Sequence, residues 1–220
     1  MRWKYYHYLK YFYPPSNVQN CLGVSWCKLA YWEERERVGA QFHCQSSCLE
    51  ISGQAVARPS QGWDLLSLPG LMASNLRASQ STLRTRDKIG LGKFPLSQHS
   101  QIKESNFVIF TGVLLSRDEA GVWLHNRTEV PLFVNSPTLD IPNSRTFSVF
   151  KIPPGYSMQI FNFQLSAVYQ RARDPAAYEG PYDPHAMRLS FAKGWGQGYS
   201  RQSVECCPCW MEILLNPDTL

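Results

Sequence analysis

The sequence predicts an antiparallel β-sandwich of the mainly β class, with a few short helices and long loops. Three observations lead there. From Gly112 onward, short apolar runs recur between turn-forming stretches: VLL at 113–115, VWLH at 122–125 and VPLFV at 130–134. Later runs alternate with a period of two, as half-buried strands do. Only 163–173 carries the three-and-four spacing of a helix.

Bulk composition is consistent with this. A chain of 220 residues, 44% hydrophobic and 18% charged, can fill one globular domain. Its net charge of +5 permits an acidic or phosphorylated partner without demanding nucleic acid. The apolar runs fall far short of the ~20 residues a membrane-spanning helix needs, so no membrane insertion is expected. Lys4, His7 and Lys10 interrupt the aromatic N-terminus, which leaves no signal-peptide core. Seven cysteines at spacings that match no disulfide framework suit the reducing cytoplasm and nucleus.

Taken in order, residues 1–25 read as an irregular extension, and Leu29 to Trp32 as a strand. The charge run from Glu33 to Arg37 is a solvated edge or turn. Residues 40–75, with scattered Gly and Pro and weak periodicity, read mostly as loop. A short helix is expected over 79–92, stopped by Gly90 and Gly92, with Arg84 and Lys88 four apart on one face. Residues 93–111 look like an inserted phrase. Beyond the three short strands, TFSVFKI at 146–152 leads through Pro153-Pro154-Gly155 into YSMQIFNF, the signature of a hairpin. In the expected helix from Phe163 to Arg173, Leu165, Val168, Tyr169 and Ala172 form the apolar stripe. In MRLSF, Met187, Leu189 and Phe191 share one face; in WMEILL, Met211, Ile213 and Leu215 do.

Catalytic chemistry finds little support. Cys206, Cys207 and Cys209, with His43, Cys44 and Cys48, raise zinc, but Cys-Cys-Pro-Cys running into a strand is a poor chelate. Such thiols more commonly serve as small buried hydrophobes. His125 reads as a structural histidine, and neither GLG nor GWGQG has the Lys-Ser/Thr of a phosphate loop. No enzyme activity, no metal and no cofactor are expected.

The stretch FAKGWGQGYSRQ at 191–202 asks for another explanation: three glycines, Trp195 and Tyr199, and the cations Lys193 and Arg201 in twelve residues. This is the composition of a contact loop. Trp195 either anchors a partner or folds back over the sandwich edge.

Several long stretches, in fixed order, resemble one family. GVWLHNRTEVPLFVNSPTLD (121–140), KIPPGYSMQIFNF (151–163), LSFAKGWGQGYSRQ (189–202) and CPCWMEILL (207–215) are similar to the C-terminal Mad-homology domain of the Smad family. WCKLAYWEERERVG (26–39) resembles its opening strand, and RTRDKIGLG (84–92) its basic segment. On this resemblance the domain spans 26–216, atypical at 40–75 and interrupted at 93–111, with a tail at 217–220. The wording PGYS, EGPYDP and KGWGQ, and an end at LLNPDTL without a Ser-Ser-x-Ser tail, resemble the inhibitory subclass.

That resemblance implies an adaptor that binds phosphorylated type I receptor kinases or other Smads and antagonises TGF-β or BMP signalling. It also implies recruitment of ubiquitin ligases and transcriptional corepressors. The positions matching the partner-binding surface are Arg84, Lys88, Lys193 and Arg201, with Trp195 and Tyr199 as apolar anchors. The alternatives are a nuclear transcription-regulatory module acting without receptor docking, or a poorly folded splice product.

Overall fold

The computed structural model describes residues 24–52, 64–67, 88–90, 112–140, 148–172 and 183–220. The extension as far as residue 23, the phrase at 93–111 and Arg84 lie outside the described residues.

Two six-stranded sheets face each other. The first has the order β2 (Glu36–Cys44), β1 (Cys27–Glu33), β12 (Trp210–Leu215), β11 (Ala186–Phe191), β8 (Leu132–Asn135), β9 (Phe150–Ile152). In the second, β10 (Ser157–Asn162), β7 (Gly121–Asn126) and β6 (Val113–Arg117) are followed by β3 (Cys48–Ser52), β4 (Asp64–Ser67) and β5 (Lys88–Gly90). The core between them is built by alternation. Leu29, Leu132, Val134, Met187, Leu189, Met211 and Ile213 point inward from the first sheet; Leu49, Ile51, Val113, Leu115, Leu124 and Ile160 meet them from the second. The apolar faces expected for β11 and β12 are therefore the buried ones.

Several expectations need correction. Among the described residues of 40–75 the loop reading is corrected: β2 continues to Cys44, and β3 and β4 follow. Their periodicity is weak because β2 is an edge strand, broken where Gly39 takes φ 81° and the register shifts opposite Ala30. The fold class is as expected, a mainly antiparallel β-sandwich, in which β3 pairs with β4, and β4 with β5, in parallel.

The hairpin expected across Pro153-Pro154-Gly155 does not form. β9 pairs with β8 in one sheet and β10 with β7 in the other, so this turn carries the chain between layers. Period two marks both strands as half-buried but cannot say which neighbour each finds.

The helix α1 (Phe163–Arg171) is present, capped at its start by the Asn162 side chain, which accepts from the Leu165 N–H at 2.9 Å. Its expected apolar stripe is not buried among the described residues. Ser166 is the residue turned inward, while Leu165 is 40% and Val168 54% exposed.

At this end of the molecule Arg117 ties elements together. Its guanidinium lies over the rings of Trp26 and Phe163, at 5.9 and 5.3 Å, and donates to the Thr219 carbonyl in a closing 3-10 turn at Pro217–Thr219.

Candidate functional site

The glycine-aromatic-cation segment leaves β11 as a loop on the outer face of the first sheet. Strand pairing places a row of side chains across that face. Arg37 lies opposite Trp32, Trp32 opposite Trp210, Trp210 opposite Ser190, Ser190 opposite Phe133, and Phe133 opposite Lys151. Directly opposed residues share a face, so three large rings sit where an unmodified sandwich would show polar groups to water. Trp32 and Trp210 stack at 5.1 Å between centroids and 9° between planes.

The loop covers part of this row. Trp195 is 7% exposed and packs with Phe133, Val204, Cys207 and Trp210, apart from the core between the sheets. Of the two readings of Trp195, the ring folds back, so it is the floor of the loop and not an exposed anchor. Tyr199 stays 37% exposed and meets Phe133 edge-on at 5.5 Å.

Backbone geometry explains the glycines. Gly196 and Gly198 take φ 83° and 92°, and the Gly196 N–H donates to the Arg201 carbonyl at 2.7 Å, closing the loop. A Cβ on Gly194 would lie 2.4 Å from the Tyr199 ring, so only glycine lets that ring settle there. Ala192 enters the loop at φ 63°, its N–H bonded to the Pro131 carbonyl at 3.1 Å.

The neck of the loop is held through Lys193. Its carbonyl accepts from the Ser190 hydroxyl at 2.7 Å and from the Cys207 thiol at 3.6 Å. Lys193 and Arg201 are both half-buried at the root, leaving Tyr199 and residues 197–200 outermost.

The structure thus brings together Lys193, Trp195, Tyr199 and Arg201 on the first sheet. Lys88 is in β5, opposite Leu65, at an edge of the second sheet. The helix expected over 79–92 is therefore corrected at 88–90, where an Ile-containing tripeptide gains strand partners and Gly90 disfavours a helix. With Lys88 in a strand, the shared helical face of Arg84 and Lys88 is not formed.

The thiols behave mainly as core atoms. All six described cysteines are free. Burial pushes Cys48 and Cys207 up from the ordinary thiol range, and Cys209 up to about 12, so none is a ready thiolate at neutral pH. Cys206 differs: it is exposed, and hydrogen bonding to Ser203, with Arg35 close by, lowers its pKa. Among the described residues, no three His, Cys, Asp or Glu side chains gather as metal ligands. His125 is hydrogen-bonded to the Ser157 hydroxyl at 2.5 Å, and burial, followed by Arg127, lowers its pKa.

Sequence reasoning missed the aromatic row, while the charge run from Glu33 to Arg37, read as a solvated edge or turn, is the β1–β2 turn beside it. The signal was available: Trp32, Phe133 and Trp210 occupy the solvent-side parity of their strands, where a large ring is out of pattern.

Comparison with known proteins follows from these observations. The MH2 domain model matches residues 24–106 and 86–216. Mothers against decapentaplegic homolog 6 of Gallus gallus is 41% identical over 194 residues, 87% of this chain. Homolog 7 of Homo sapiens is 34% identical over the same share. The chain spans 38% of the length of each of these relatives. Among solved structures, the IAD domain of interferon regulatory factor 9 superposes with a TM-score of 0.52 at 14% identity. That match covers 88% of this chain and 84% of the other, a likeness of fold.

Proposed function

Because the chain belongs to the MH2 domain family of the Smads, with the inhibitory members among its relatives, we propose that it is an inhibitory adaptor that docks on phosphorylated type I receptor kinases. Occupying the receptor, or binding other Smads, denies activating Smads their substrate position and antagonises TGF-β or BMP signalling. The MH2 family is one of non-enzymatic adaptors, which suits a site made of rings and cations. Cytoplasm and nucleus are where such an adaptor would work, with ubiquitin ligases and corepressors as further partners. Among the described residues, no helix is long and apolar enough to cross a membrane.

One observation carries this reading. The loop projects Tyr199 from a rigid aromatic floor with Lys193 and Arg201 at its root. A phosphoserine or phosphothreonine carries close to two negative charges, and Lys and Arg receive it through charge-assisted hydrogen bonds. Tyr199 adds an amphipathic ring beside them. Lys88, in β5 at an edge of the second sheet, enters this proposal as a separate cation, and Arg84, outside the described residues, enters it by resemblance alone.

Capture of the protein by a phosphorylated type I receptor kinase domain tests it. Replacing Arg84, Lys88, Lys193 and Arg201 together by Glu should abolish capture, and wild-type capture should weaken steeply with salt. Unchanged capture by the quadruple variant would overturn the basic-surface mechanism.

A further inference from the structure

The row across the first sheet does not stop at the loop. Its free end is the β1–β2 turn, where Glu34 takes φ 53° and its carbonyl accepts the Trp210 indole N–H at 2.7 Å. A non-glycine residue held left-handed is a strained position that its surroundings must maintain. The other such residue among those described, Ala192, opens the glycine loop. Both therefore border the same aromatic floor, one at each side of Trp210.

Pairing fixes the faces of some of the charges here, with the exposed Glu34 in the turn and Glu205 near the Cys206 thiol as acids beside them. Arg37 opposes Trp32 on the outer face, whereas Glu36 opposes Glu33 on the next position, which faces the other way. Glu33 is also engaged by the Tyr31 hydroxyl at 3.3 Å. Arg35, at the tip, is exposed and has no ion-pair partner among the described residues. It lies close enough to the Cys206 thiol to favour the thiolate, while Arg201 acts likewise on the adjacent Cys207. The arginines of the turn and of the loop therefore flank one pair of neighbouring cysteines. Beneath them the Trp32 indole N–H is buried without a hydrogen-bond partner among the described residues. It is a donor left open beside an otherwise satisfied floor.

We infer that the β1–β2 turn is a second arm of the docking face, with Arg35 and Arg37 contacting the same phosphate-bearing segment of the partner that the glycine loop engages. This rests on the docking function proposed above. It makes the face a cleft walled by two turns and floored by rings, with Cys206 on its rim. Cations on both walls suit an extended phosphorylated peptide better than a single isolated phosphate.

Three proteins decide it: wild type, the loop variant Lys193→Glu with Arg201→Glu, and the turn variant Arg35→Glu with Arg37→Glu. Each is titrated with the phosphorylated and the unphosphorylated type I receptor kinase domain, after a melting curve has shown it folded. In parallel, alkylation of Cys206 by iodoacetamide is followed by peptide mapping in free and kinase-bound wild type, which requires no variant to fold. The turn variant should bind at least about tenfold more weakly, with a shallower salt dependence. Bound kinase should protect Cys206. If the loop variant loses binding while the turn variant binds as wild type and Cys206 reacts equally fast in the complex, the second arm does not exist and the docking function stands. If the loop variant too binds as wild type, the docking function falls and this inference falls with it.

Discussion

Gly194 shows how one missing side chain sets the shape of the loop. The Tyr199 ring occupies the space a Cβ would need, so Gly194→Ala should push it off its edge contact with Phe133. The expected loss of stability is about 0.5–1.5 kcal/mol, the worth of such an aromatic pair, read by urea denaturation. Receptor capture should fall at the same time, because Tyr199 is the ring left outermost. Cys206 gives a second prediction. Its pKa is lowered first by the hydrogen bond to the Ser203 side chain, then by that to the Ser203 backbone, with Arg35 adding to them. Its alkylation rate should therefore rise with pH at a midpoint below the ordinary thiol range, and Ser203→Ala should move that midpoint upward. A Ser203→Ala midpoint equal to that of wild type would remove this account.

For the strands, two glycines separate steric conflict from backbone strain. A Cβ on Gly121 would stand 2.0 Å from the Phe161 carbonyl, backbone that cannot give way without breaking the β7–β10 pairing. Gly155, in the crossover turn, has open space around it and a φ of 78°. Gly121→Ala should cost about 3 kcal/mol or more, and Gly155→Ala about 1–2 kcal/mol, in equilibrium unfolding. Equal losses would show that the close approach at Gly121 is relieved locally. The same strands show what a sequence can carry. β11 and β12 were legible because Met187, Leu189 and Phe191, and Met211, Ile213 and Leu215, alternate without interruption. Partnership was not, since Ile152 and Met158 reach the same core from opposite sheets across a turn that reads like a hairpin. Helix α1 was found by its spacing, but the stripe of Leu165 and Val168 misled, because spacing says which residues share a face and not which face is covered. Within the candidate site, composition marks the loop that carries Lys193, Tyr199 and Arg201, and their partner-binding role is what the resemblance implies. The out-of-pattern parity of Trp32 is local, but that it lies opposite Trp210, with Arg37 opposite Trp32, depends on register, which no local run records.

Across the whole molecule, burial of acidic protons couples stability to alkali. Burial raises the Tyr31 hydroxyl well above its usual range and Cys209 to about 12, with Cys207 and Cys48 raised as well. For each thiol the unfolded chain loses its proton near pH 9, while the folded protein retains it. The unfolded state then binds fewer protons, so stability is intact below that pH and falls as pH rises, for Cys209 through a window up to about 12 and for Cys207 and Cys48 in the same direction. The slope per group approaches ~1.4 kcal/mol per pH unit. Denaturation midpoints between pH 8 and 11 check this, and Cys209→Ala should flatten the decline while lowering stability at neutral pH.

The break in β2 has a consequence for how copies of the chain meet. A nine-residue border strand would ordinarily offer a long template for edge-to-edge stacking. Here Gly39, with Ala40 and Gln41 bulging opposite Ala30, divides that template into two short pieces. A strand arriving from a second molecule can match one piece or the other, but not both in one register, so crowded protein is steered away from fibre growth along this border.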